Sequence, residues 1–323
     1  MTSKIHPSRA LICGISGQDG SYLAHHLLSL GYEVQGTSRD SATTSFSNLE
    51  RLKIRDQVNV LSMAPTDFRS VLGAIDLAEP EEIYNLSGQS SVGLSFQQPV
   101  ETLESMLMGT VNVLEAIRFL KRPVRFYNAC SAECFGNTKG VPATEETPFR
   151  PRSPYGVAKA AAFWQVANYR EAYGLSACSG ILFNHESALR PQRFVTSKIV
   201  HAARSIAAGG QEKLKLGNLS ISRDWGWAPE YVQAMHLMLQ KDEPRDFVIA
   251  TGKTHTLAEF TAAVFAHFNL DWKSHIEQDA SLMRPSDIEA NQADPTLAAS
   301  VLGWKAKVSL PVLTAKLAAD ELF

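Results

Sequence analysis

Apolar and polar positions alternate in a regular rhythm through the first half of the chain. Ala10 to Cys13 reads as a buried strand, and Ser21 to Leu30 as a helix closed by Gly31. Glu33 to Gly36, Asn59 to Leu61, Glu82 to Leu86 and Val124 to Ala129 read as further strands. Helices are predicted between them at Phe68 to Leu77 and Pro99 to Leu120. Strands alternating with helical stretches imply βαβ units and a mostly parallel sheet. A long helix over Tyr155 to Tyr173 and a sixth strand over Ser176 to Phe183 continue the pattern.

Beyond Asn184 the rhythm breaks. Polar and basic segments such as His185 to Arg193 alternate with helices such as Lys198 to Ala208. Phe247 to Thr251 is one more strand-like run, placed to rejoin the sheet. The expected architecture is an α/β fold, a doubly wound parallel sheet with a smaller, discontinuous C-terminal lobe. Residues 1–184, with about 216–252, are assigned to the sheet domain, and residues 185–215 and 253–323 to the lobe. No internal repeat or low-complexity linker interrupts this reading.

Composition adds mainly exclusions. Hydrophobic residues make up 45% of the 323 and charged residues 20%, the mix of an ordinary globular protein. The formal net charge is −2, so no broad basic field attracts nucleic acid or a membrane surface. An anionic ligand would need local Arg or Lys clusters. The cysteines, Cys13, Cys130, Cys134 and Cys178, lack zinc-site spacing and read as reduced thiols of a cytoplasmic protein. Met1 to Arg9 lacks the apolar core of a signal peptide, and no run approaches the ~20 apolar residues of a membrane helix.

Candidate chemistry begins directly after the first strand. Gly14, Gly17 and Gly20 frame the loop Gly14-Ile15-Ser16-Gly17-Gln18-Asp19-Gly20, which opens the first helix. Glycines allow a tight turn and close approach to a pyrophosphate, and the helix N-terminus supplies N–H groups. The strand before and the helix after give this loop the context of a Rossmann-like dinucleotide site. Its spacing resembles the short-chain dehydrogenase/reductase superfamily. At the end of the second strand Arg39 precedes Asp40. An Arg there suits a 2′-phosphate, whereas an acidic residue suits free ribose hydroxyls, so the order favours NADP.

A second constellation lies after the fifth strand. Tyr155 and Lys159 are four apart and share one face of a helix, where the lysine charge is expected to lower the phenol pKa. A polarised phenol accepts the proton of a hydroxyl as hydride leaves the same carbon. Ser131 is the expected hydroxyl partner of the tyrosine. Glu133, two residues further, is placed for a second proton transfer that a simple dehydrogenase does not need.

With these residues assembled, the chain resembles GDP-mannose 4,6-dehydratases from about Arg9 to about Trp304. The resemblance rests on Gly14 to Leu23, Arg152-Ser153-Pro154-Tyr155, Asn168 to Gly174, Gly180 to Ser187, Arg223-Asp224-Trp225-Gly226 and Phe247 to Gly252. It implies a catalytic set of Ser131, Glu133, Tyr155 and Lys159, with Ser131 where the family usually has Thr. It implies cofactor contacts at Gly14, Gly17, Gln18, Asp19, Gly20, Arg39, Leu86, Tyr155 and Lys159. Substrate contacts map to Ser90, Asn184, Arg190, Lys198, Arg223 and Arg284, and Asp287 stands where a carboxylate holds the GDP ribose. Guanidinium forks suit diphosphate oxygens.

The implied activity is a lyase reaction turning GDP-mannose into GDP-4-keto-6-deoxymannose, with NADP carrying hydride from C4 to C6. A metal is not implied. A homodimer or homotetramer is, with Met106, Met108 and Phe163 as exposed apolar candidates on the two long helices. The long connection from Asp40 to Arg55 is a further assembly candidate. Three stretches depart from the family: Met63-Ala64-Pro65 replaces Gly-Asp-Leu, Ser197 replaces an Arg, and Leu297 and Ala306 replace a Lys and a Pro. An epimerase or 4-ketoreductase, a dehydratase of another GDP-sugar such as a GDP-heptose, and a dinucleotide-sensing regulator stand as alternatives. Retention of all four catalytic residues argues against the regulator.

Overall fold

The computed structural model describes residues 7–323. Most of the segment read as lacking a signal-peptide core, Met1 to Arg9, lies outside the described residues.

Seven parallel strands form the main sheet. Among the described residues the twelve strands, in chain order, are β1 (Arg9–Cys13), β2 (Glu33–Ser38), β3 (Asn59–Ser62), β4 (Glu82–Asn85), β5 (Arg125–Ser131), β6 (Ala177–Leu182), β7 (Asn184–Glu186), β8 (Leu214–Leu216), β9 (Ser222–Trp227), β10 (Phe247–Ile249), β11 (Thr254–Thr256) and β12 (Ile276–Gln278). The main sheet runs β3-β2-β1-β4-β5-β6-β10, so the Phe247 run does rejoin it. Its order reverses beside β1, which leaves a crevice at the carboxyl ends of β1 and β4.

Alternation along the strands explains why helices cover both faces. Ala10 and Ile12 of β1, Tyr84 of β4 and Tyr127 of β5 pack into one core. The helices Gln18–Ser29 and Ala228–Leu239 close it with Tyr22, Leu23, Leu27, Val232 and Met235. Leu11, Cys13, Ile83 and Phe126 point the other way. There Phe68–Ala78, Gly109–Leu120 and Pro154–Tyr173 supply Val71, Ile75, Val113, Leu114 and Val166. A sheet buried on both faces reads as continuous apolar runs, which is why its strands are legible.

The C-terminal lobe has its own core around Ile199, Trp225, Phe260, Val264 and Leu313. Two small sheets belong to it, β11-β9-β7 and β12-β8. β9 had no strand-like pattern because Arg223 and Asp224 are buried polar residues, 5% and 0% exposed. Pro99 to Leu120 is not one regular helix: a π-helical stretch, Glu104–Met108, separates Pro99–Leu103 from Gly109–Leu120. Met106 and Phe163 are buried, at 3% and 7%, so only Met108 of the three assembly candidates is exposed. The Asp40 to Arg55 connection carries a short helix, Ser47–Arg51, and buries Phe46, Leu49, Leu52 and Ile54 in the main core. All four cysteines are free and buried. Among the described residues no helix is long and apolar enough to cross a membrane, and no side-chain group is arranged to hold a metal ion.

Candidate active site

The glycine loop is a backbone cradle that a side chain would fill. Gly14 sits at φ +86°, and a Cβ there would lie 3.1 Å from the main chain of Leu86 and Ser87. A Cβ on Gly20 would stand 2.4 Å from Gly14 O. Gly17 starts the helix Gln18–Ser29 without any side-chain cap, so the first N–H groups remain available to an anion. The loop opens into a cleft of about 1010 Å³ at the crevice of the main sheet. Gly14, Gly17, Gln18, Asp19, Gly20, Arg39, Leu86, Ser90 and Arg190 all line it. The residues present therefore fit a dinucleotide.

Arg39 and Asp40 part company at the mouth of this cleft. Asp40 is consumed by a turn: it accepts from Ala42 N at 2.9 Å and from Thr43 N at 3.1 Å. Thr43 Oγ1 donates to its second oxygen at 2.7 Å. Arg39 is exposed and lines the cleft, as do Ala64, Pro65 and Thr66.

β5 and the following turn carry the second constellation. Ser131 caps the short 3-10 turn Ala132–Cys134, accepting from Glu133 N at 3.2 Å. Tyr155 follows Pro154 at the start of its helix, where Ser153 caps by accepting from Gly156 N at 3.0 Å. Gly156 is required there, since a Cβ would meet Glu133 O at 2.9 Å. Ser131 and Glu133 are both near enough to the Tyr155 phenol to influence it, the serine hydroxyl lowering its pKa and the carboxylate raising it.

The expected lowering of the Tyr155 pKa by Lys159 is not what this arrangement gives. Burial raises the phenol, and the Ser131 hydroxyl opposes it. Lys159 Nζ donates to Ala129 O at 2.7 Å and lies 6.0 Å from the Tyr155 ring centroid, so its charge is drawn to the strand. Burial lowers the Lys159 pKa itself.

Glu133 joins this site to the lobe. Burial raises its pKa, the charges of Arg223 and Arg284 lower it, and Asp287 raises it. Arg223 donates to Ser222 O at 2.9 Å, to Ile288 O at 2.7 Å and to Asp287 Oδ1 at 3.2 Å. Arg284 approaches the same oxygen at 3.5 Å. Arg223 and the neighbouring pair Arg284 and Asp287, all distant from Glu133 in sequence, thus gather around it. Arg190 Nε lies 3.2 Å from Glu186, and its guanidinium sits 3.8 Å from the Phe194 ring centroid. Asn184 opens β7, opposite Trp225. Lys198 donates to Lys215 O at 2.9 Å, on the β8 side.

Several participants carried no signal in the sequence. His185 meets Asp19 at 2.9 Å across 166 positions. Ser187 donates to Gln18 Oε1 at 2.8 Å. Arg193 lines the cleft and approaches Ser90 Oγ at 3.5 Å. Asn291, 2% exposed, donates to Ala132 O at 2.8 Å and so steadies the turn that bears Glu133. Only the polar segment His185 to Arg193 hinted at any of them.

Ser131, Glu133, Tyr155 and Lys159 are not among the residues lining the dinucleotide-type cleft, and neither are Asn184, Lys198, Arg223, Arg284 and Asp287. The chain as a whole has relatives. GDP-mannose 4,6 dehydratase 2 of Arabidopsis thaliana is 46% identical, over 97% of this chain and 86% of the plant protein. GDP-mannose 4,6 dehydratase 1 of the same plant is 44% identical, over 97% and 89%. Among solved structures, UDP-glucose 4-epimerase of Thermus thermophilus in complex with NAD superposes with a TM-score of 0.83 at 25% identity, covering 96% of this chain and 98% of that one. The family model described as GDP-mannose 4,6 dehydratase matches residues 11–317, which takes in both sheet domain and lobe, and the chain belongs to that family.

Proposed function

We propose that the protein is an NADP-dependent GDP-mannose 4,6-dehydratase, a hydro-lyase that forms GDP-4-keto-6-deoxymannose. The observation that carries this reading is Glu133: a carboxyl raised by burial, on the turn beside Ser131 and Tyr155, with two arginines of the lobe facing it. A positioned carboxyl with a raised pKa suits a group that must act as base and then as acid.

When bound, the dinucleotide supplies the acceptor and donor of hydride. Gly14, Gly17, Gln18, Asp19, Gly20, Arg39 and Leu86 would hold it. Tyr155, with Ser131, takes the proton of the sugar C4 hydroxyl as a phenolate, a form that burial opposes in the free protein and that the positive charge of a bound oxidised nicotinamide would favour. The resulting ketone acidifies the proton on C5. Glu133 removes that proton and returns one to the C6 hydroxyl, which leaves as water; the C5–C6 double bond so formed takes back the hydride at C6 and a solvent-derived proton at C5, giving the 4-keto-6-deoxy sugar. Lys159 steadies the end of β5 through Ala129 and keeps a positive charge behind the phenol. Arg190, Arg223 and Arg284 would meet the diphosphate or guanine, with Ser90, Asn184, Lys198 and Asp287 completing the sugar-nucleotide site.

The choice of NADP over NAD rests on Arg39, which stays free while the neighbouring Asp40 is used up in its turn. The proposed division of labour gives residues 1–184 and about 228–252 the cofactor, and residues 185–227 and 253–323 the sugar nucleotide; the expected boundary at about 216 moves because β9 packs in the lobe core through Trp225 and Trp227. A homodimer or homotetramer is proposed on exposed Val100, Met108, Val157 and Trp164 of the two long helices. Light scattering that finds a monomer at micromolar concentration would reject that assembly. The four buried thiols suit the proposed cytoplasmic location.

The direct test is incubation with GDP-mannose and NADP, with products followed by mass. The expected product has lost one water, and NADP is not consumed. Recovery of an isomer of unchanged mass would replace the dehydratase reading with an epimerase.

A further inference from the structure

His185 sits where the lobe meets the glycine loop. Its Nδ1 lies 2.7 Å from Phe183 O, and its Nε2 lies 2.9 Å from Asp19 Oδ2. A main-chain carbonyl oxygen only accepts, and so does an ionised carboxylate. Asp19 is ionised at neutral pH: burial pushes its carboxyl up, but His185 and Gln18 outweigh burial and hold it at about 2. Both ring nitrogens of His185 must then carry a proton, which makes the ring an imidazolium. A neutral tautomer would leave a lone pair facing an acceptor within 3 Å.

The surroundings keep that ring in place. It is 7% exposed and stacks on Tyr231 with centroids 4.6 Å apart. Gln18 Nε2 donates to Asp19 Oδ1 at 2.9 Å and to His185 O at 3.2 Å, so both carboxylate oxygens are used. Asp19 is also the second residue of the helix that receives the dinucleotide, and it lines the cleft. Unpaired, its charge would oppose a pyrophosphate at that helix start.

We infer that His185 is a positioning residue for the dinucleotide: as an imidazolium it neutralises Asp19 and ties the glycine loop to β7, leaving the helix N-terminus receptive to an anion. The inference rests on the reading of the cleft as a dinucleotide site. The charged and titratable groups around the ring are Asp19 of the first helix, Arg190 beyond β7, and Tyr231 of Ala228–Leu239. Asp19 favours the protonated ring and Arg190 opposes it. Lys159 and Tyr127 lie within reach of the Asp19 charge.

Nitrogen NMR of the 15N-labelled protein tests the charge state, and fluorescence titration with NADPH and NADH tests its consequence. Both His185 nitrogens should be protonated at neutral pH. His185→Gln should weaken NADPH binding by about thirtyfold, the lower end of what truncating one partner of a buried charge pair costs a binding site. The double variant D19N/H185Q, with neither charge, should recover most of that loss. A role in packing alone would leave the double variant as weak as the single one, and that result overturns the inference. Parent affinity should also fall as pH rises beyond ~6.5 and the imidazolium is lost, while H185Q stays flat. An unprotonated ring nitrogen at neutral pH overturns the inference even if H185Q fails to fold. A parent that binds NADPH no better than H185Q sinks the inference alone; a parent that binds neither dinucleotide sinks the cleft reading with it.

Discussion

Arg223 and Asp287 form an ion pair at 3.2 Å in which the arginine side chain is only 6% exposed. The pair ties β9 to the Arg284–Ile288 segment that faces Glu133, since Arg223 also donates to Ile288 O. Asp287→Asn should destabilise the protein by about 2 kcal/mol. That is below the ~3–5 kcal/mol of a fully buried pair, because Asp287 is partly solvated and Arg223 keeps two carbonyl partners. The Asp287 charge also raises Glu133, so its removal should lower the Glu133 pKa. The acid limb of the pH–rate profile should move to lower pH. Denaturant melts and a pH series check the two effects separately.

Arg39 should decide between the two dinucleotides. Arg39→Ala is expected to weaken NADP by about tenfold to a hundredfold, the worth of hydrogen bonds to a charged group, and to leave NAD unchanged. Asp40 is already committed to its turn and does not compensate. Equal affinity of the parent for NAD and NADP would refute the role given to Arg39. Ala64 lines the same cleft, at a position where the resemblance leads one to expect an Asp, so Ala64→Asp should tighten either dinucleotide. Isothermal titration of parent and variants measures both.

The Asp19–His185 pair sets a pH window for stability. Asp19 has a folded value of about 2, burial being outweighed by His185 and Gln18. Its stabilisation is present above the unfolded range of ~3.9 and is lost as pH falls towards 2. His185 is raised, burial being outweighed by Asp19, so its contribution is full below ~6.5 and is lost as pH rises through the folded value. The pair therefore stabilises most between roughly pH 4 and 6.5, by about 2 kcal/mol on the scale of the Asp19 shift. Subtracting the H185Q stability curve from that of the parent should give a difference that peaks in this window. A difference that is flat across pH would rule the pair out as its source.

Sequence legibility follows burial chemistry. β1, β4 and β5 were readable because helices bury both faces, which leaves unbroken apolar runs. β9 was not, because two of its buried positions are the charged Arg223 and Asp224, paired with residues further along the chain. The glycine loop declared itself through residues that must lack side chains. Glu133, Tyr155 and Lys159 were legible as a local pattern, but the capture of Lys159 Nζ by Ala129 O was not, since it depends on how the helix lies against β5. The Asp19–His185 contact spans the chain from the first helix to β7, and neither residue has a local pattern that announces the other.

Glu133 separates a dehydratase from a simple oxidoreductase. Dehydration needs a proton taken from C5 and a hydroxyl expelled at C6, and a phenol engaged at C4 is poorly placed for both. Glu133 is held near Tyr155 by a turn that Ser131 caps and Asn291 steadies, and burial raises its pKa towards that of a useful acid. Glu133→Gln keeps the size and hydrogen-bonding reach but removes the base. GDP-mannose should still bind, and nicotinamide absorbance should report partial hydride transfer. Release of the 4-keto-6-deoxy product should fall by about two to four orders of magnitude, the usual worth of a positioned acid–base group. In heavy water the parent should place deuterium at C5 of the product, and the variant should not. Normal turnover by Glu133→Gln with deuterium at C5 would assign the proton transfer to another residue, and the raised carboxyl would then be a consequence of burial alone.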